Sequence, residues 1–83
     1  MTREEILQKV NSIFRDVFNR NDLIVGFGTT AKDVEGWYSV QQISLIESIE
    51  NEFDMHFTMD EVMEMSDVGA MVDIILSRIL QEG

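Results

Sequence analysis

Seven apolar residues near the start of the chain, Ile6, Leu7, Val10, Ile13, Phe14, Val17 and Phe18, fall within an arc of about 140° at helical spacing. A stripe of that width commits the segment to an amphipathic helix with one buried face. Thr2 and Glu5 have the spacing of a capping box, in which hydroxyl and carboxylate each satisfy an orphan backbone N–H. The first helix is therefore expected over Arg3 to Phe18, with Asn19 to Asn21 as its exit. A helical period returns between Ser39 or Val40 and Phe53, where Leu45, Ile46, Ile49 and Phe53 cluster on one face. It returns again after Ser66 or Asp67, either of which can cap a helix whose Val68, Met71, Val72, Ile75, Leu76, Ile79 and Leu80 share a side. Thr58 with Glu61 repeats the capping-box spacing and opens a helix of little more than a turn through Val62 and Met63, after which Met65 plugs the core. The expected fold is all-α, a bundle of three main helices plus one short helix.

Between the first two helices no helical period survives from Asp22 to Tyr38, and Gly26, Gly28 and Gly36 interrupt any that starts. Leu23, Ile24, Val25 and Phe27 have the length of a short strand, but no second run exists to pair with it. The segment reads as a long loop pinned to the core by its apolar residues. With 83 residues the chain reads as a single domain spanning 1–83, able to bury one modest core and no deep cleft. The lack of cysteine suits a reducing compartment. No secretory signal opens the sequence, and no apolar run approaches the ~18 residues of a membrane span. A cytoplasmic, monomeric protein without membrane insertion is expected.

Net charge is −10, unevenly spread. Residues 1 to 32 hold five of the six basic residues against four acids, whereas residues 33 to 83 hold one arginine against twelve acids. The second part projects a negative field that repels nucleic acid and favours partners with basic docking surfaces. Acidity also simply keeps small proteins soluble.

The acidic part contains the stretch DVEGWYSVQQISLIESIENEFD, from Asp33 to Asp54. A polar, glycine-containing approach leads to Ser39 at the mouth of a helix that closes on Glu52-Phe53-Asp54. Together with the short acidic segment from Thr58 to Glu64 and the last apolar helix from Val68 to Leu80, this stretch resembles the acyl carrier protein family without a gap. The resemblance implies a 4'-phosphopantetheine arm on Ser39, installed by a phosphopantetheinyl transferase as the serine oxygen attacks the pyrophosphate of coenzyme A. It implies cargo held as a thioester on the arm's thiol and presented to acyl-processing enzymes, in fatty acid, polyketide, peptide or lipid-modifying chemistry. The chain itself would have no catalytic residue. Ser39 also has a plain structural reading, because Ser39 and Gln42 share capping-box spacing. Both readings rest on the N–H groups and positive dipole end of a helix N-terminus, which favour an anion there.

Val40 and Ile43 lie well round the second helix from its core face and are surplus to one core. With Glu47 and Glu50 they are the candidate docking residues, and fringe residues of a wide core stripe would show the same pattern. Ile46, Ile49, Met63 and Met65 are the candidates to line an acyl pocket. The family usually reads Asp-Ser-Leu where this chain has Tyr38-Ser39-Val40, and Gln41, Gln42 and Ser44 stand where relatives are often more acidic or smaller. Loss of the acid that helps engage the transferase leaves a second reading open, an unmodified helical interaction module that kept the fold and lost the arm.

Other chemistry is excluded by spacing. His56 is the single histidine, so no multi-histidine metal site can form. It lies about 25 Å along the second helix from Ser39, too far to share a proton. The six methionines suggest calcium sensors, but a loop started at Asp54 would put Met59 and Met65 where a glycine and a glutamate are required. They read as adaptable core filler.

Overall fold

The computed structural model describes residues 1–82. Four helices follow in order, α1 (Arg3–Phe18), α2 (Ser39–Phe53), α3 (Met59–Glu64) and α4 (Val68–Glu82), and no strand occurs among the described residues. The chain is an all-α bundle in which α1 packs against both α2 and α4. The stripe of α1 supplies Ile6, Val10, Ile13 and Phe14 to a core shared with Leu45 and Ile49 of α2 and Val68, Met71, Val72 and Ile75 of α4. Leu80, expected on that face of α4, is exposed instead, near the end of the helix.

Helix ends follow local chemistry. Capping boxes form at Thr2 with Glu5 and at Thr58 with Glu61. Asn19 and Asp54 adopt the left-handed conformation that terminates α1 and α2, a conformation short polar side chains tolerate. Asp67 is the cap of α4, its Oδ1 accepting from the Ala70 N–H at 2.8 Å. The first N–H groups of α4 are also paired: Val68 donates to the Thr29 carbonyl at 2.9 Å and Gly69 to the Phe27 carbonyl at 2.6 Å. Only a glycine permits that approach, since a Cβ at position 69 would lie 2.8 Å from the Phe27 oxygen.

The loop between α1 and α2 is pinned to the core, as its apolar residues predict. Leu23, Val25 and Val34 are buried and Phe27 is half-buried, while Ile24 points to solvent. Its main anchor is polar. Asn11, buried on α1, accepts from the Val25 N–H at 2.7 Å and donates to the Val25 carbonyl at 2.9 Å and the Leu7 carbonyl at 3.0 Å. One side chain thus satisfies both backbone groups of a buried loop residue that has no strand partner. Arg15 adds a bond to the Leu23 carbonyl at 3.1 Å.

Candidate functional site around Ser39

The loop delivers the chain to α2 through a tight turn. Gly36 has φ +89°, the left-handed region where a side chain is disfavoured, and its carbonyl accepts from the Tyr38 N–H at 2.9 Å. Trp37, half-buried, meets the ring of Phe14 edge-on, with centroids 5.1 Å apart at 84°. Its Nε1–H donates to Gln42 Oε1 at 2.5 Å. These contacts fix the backbone from which Ser39 projects.

Ser39 is the first residue of α2 and is exposed. The capping residue is Tyr38, not Ser39, and its side chain makes no capping bond. The capping-box reading of Ser39 with Gln42 is corrected accordingly: helix dihedrals begin one residue early, and the Gln42 side chain is engaged by Trp37. The other three helices begin with a side-chain oxygen on their orphan N–H groups. The first turn of α2 has neither that nor an acidic residue. Its N–H groups and dipole end are thus met by no side chain of the cap or first turn.

Ser39 borders an open groove of about 390 Å³ walled by Ala31, Trp37, Tyr38, Gln42, Met65 and Ser66. A second hollow, about 560 Å³, lies across Trp37 and Tyr38 along the loop from Ala31 to Glu35. Of the four residues expected around an acyl pocket, only Met65 lines either hollow. Ile49 is fully buried within the core and Ile46 is half-buried. Met63 is corrected: it is 77% exposed, on the outer side of a six-residue helix whose orientation is set by Glu61. Glu61 accepts from Arg78 of α4 and from the Thr58 N–H, and both interactions hold its carboxyl below the usual range, the Arg78 bond first.

Along α2, Val40 and Ile43 are 70% and 60% exposed, beside Tyr38 at 74%. Glu47 is exposed as well. Glu50 is not a free docking acid. Its side chain is mostly covered, Oε2 accepts from the Phe57 N–H at 2.8 Å, and His56 Nδ1 stands 3.7 Å away. It closes the reversal after α2, which position along the helix alone does not reveal. Ala31, Gln42 and Ser66 belong to the groove and were not anticipated. The one available signal was Trp37, because an indole N–H brought into a core needs an acceptor nearby.

Among the described residues, no cluster of three or more His, Cys, Asp or Glu side chains could hold a metal ion, and no helix is long and apolar enough to cross a membrane. No family model matches the chain, and no curated protein does. A solved structure does: the solution NMR structure of a holo acyl carrier protein from Geobacter metallireducens is similar with a TM-score of 0.84 at 28% sequence identity, covering 94% of this chain and 93% of that one.

Proposed function

We propose, from the premise that this chain belongs to the acyl carrier protein family, that it carries acyl or related intermediates on a 4'-phosphopantetheine arm attached to Ser39. The chain is a carrier and not a catalyst. The arm, once attached, supplies the thiol on which cargo is held as a thioester. The observation that carries the reading is an exposed serine hydroxyl at the start of a helix whose first turn has no side-chain cap. A phosphodiester on that oxygen lies within reach of free N–H groups and the positive end of α2, so the anion is stabilised where it is made. The open groove beside Ser39 gives the arm a place to lie, and the lack of cysteine leaves the arm's thiol without competition.

The partners are a phosphopantetheinyl transferase and acyl-processing enzymes with basic docking surfaces. Val40 and Ile43 offer them apolar contact and Glu47 a charge, while Glu50 serves by holding the end of α2. Tyr38, uncharged and bulky where relatives carry an acid, favours a second reading, an unmodified interaction module of the same fold. Intact mass after coexpression with a broad-specificity transferase separates the two. A phosphopantetheine adduct is expected, and its complete absence would select the module.

A further inference from the structure

We infer that Gln42 is a positioning residue which holds the arm in the groove against Trp37, so that the loaded chain has a docked resting state. The inference rests on the carrier reading and concerns where the arm lies, not whether it is there. Trp37 is the single tryptophan, and Phe14 supports its ring edge-on from the core side. An indole N–H is a donor only, so the 2.5 Å contact fixes the Gln42 carboxamide with its oxygen toward Trp37 and its NH2 group turned away. Among the described residues that NH2 group meets no protein acceptor, although Gln42 is half-buried.

Gln42 and Ser39 line the same groove and are three residues apart on α2, which places their Cβ atoms about 5–6 Å from each other on neighbouring turns. A chain tethered to Ser39 Oγ and folded back into the groove therefore passes the Gln42 NH2 group, whose N–H donors reach solvent and are engaged by no protein acceptor among the described residues. The group that fits is an acceptor oxygen of the arm. Trp37 and Met65 offer apolar contact to its methylene and methyl groups on either side.

The test uses isotope-labelled protein before and after transferase loading, with mass confirming the adduct. In loaded wild type, nuclear Overhauser contacts between the arm and the Trp37 ring are expected, with shifts of the Gln42 side-chain NH2 and the Trp37 Nε1–H. Gln42→Met keeps the length of the side chain and removes the donors. Gln42→Glu keeps an acceptor for Trp37, places an acid in a helix start that favours one, and also removes the donors. Both variants should load and lose the arm-to-Trp37 contacts, with the helical circular dichroism of wild type. An adduct with no such contact in wild type, or contacts that persist in both variants, would overturn the inference and leave the carrier reading intact. Failure of wild type to load would overturn both.

Discussion

Asn11 acts on the site from outside it. Its carboxamide takes both the N–H and the carbonyl of Val25, and so fixes the middle of a loop whose far end positions Trp37, Tyr38 and Ser39. Truncation to alanine leaves two buried backbone groups unpaired, each costing about 1–3 kcal/mol. Asn11→Ala should therefore lower the midpoint of thermal unfolding by roughly 10 °C or more, given about 4–8 °C per kcal/mol for a domain of this size. Urea unfolding followed by circular dichroism measures the same loss, and a change below about 1 kcal/mol would show that the loop is held by its apolar residues alone. Nothing local in the sequence marks Asn11 as a clamp, because its partner is fourteen residues away and the bond exists only once the loop has docked.

The elements were legible where their signals are local. Apolar stripes and two capping boxes predict the bounds of α1 and the start and short length of α3, and the loop from Asp22 to Tyr38 follows from its glycines and its missing period. Features that depend on how the chain returns were not. Glu50 looks like a free acid on a helix surface, yet the turn after Asp54 brings the Phe57 N–H onto it. Met63 looks available to a pocket, yet α3 is too short to orient itself, and the Glu61–Arg78 ion pair with the Thr58 capping box fixes which side faces out.

That ion pair gives α3 a pH dependence with a definite sign. Since the folded protein holds the Glu61 carboxyl below its ordinary value, its contribution is present in full above the ordinary carboxylate range. It is lost as pH falls through the lowered value. Acidification also relieves the repulsion of a chain with net charge −10, so wild type alone mixes two effects of opposite sign. The difference between wild type and Glu61→Gln isolates the pair. Wild type should be the more stable near neutrality, and the gap should close toward strongly acid pH, read as thermal midpoints or as hydrogen exchange of the α3 amides. A gap that stays constant down to acid pH would show that the carboxylate's charge contributes nothing.

At the scale of the molecule, charge is unevenly distributed along the chain. Nearly all the basic residues lie before Asp33, and some are engaged at the surface, Arg3 with Asp73 at 2.9 Å and Lys9 with Glu52 at 3.5 Å. Exposed pairs of this kind contribute little to stability, about 0–1 kcal/mol each. The acidic remainder of the sequence contains an uncharged start of α2 that presents Tyr38, Val40 and Ile43. On the proposed docking face, long-range attraction and close contact would fall to different residues. Glu47→Lys should slow association with a basic partner, most at low salt, while Ile43→Ala should mainly raise the dissociation rate. Stopped-flow binding to the transferase at two ionic strengths separates the two effects, and unchanged rates in both variants would move the docking face elsewhere.

Tyr38 is where the central claim is most exposed: on the proposed reading it stands in place of an acid that would engage the transferase, while Ser39 keeps its helix start. A charge contact of that kind is worth on the order of 1–3 kcal/mol, or roughly ten- to a hundredfold in rate. The direct measurement is a time course of phosphopantetheine addition with a broad-specificity transferase, the adduct located by fragment masses, on wild type, Tyr38→Asp and Ser39→Ala. The account predicts slow addition at Ser39 in wild type, addition faster by that factor in Tyr38→Asp, and none in Ser39→Ala. Addition to Ser39→Ala at another serine, or no addition to either of the other two proteins, would contradict it.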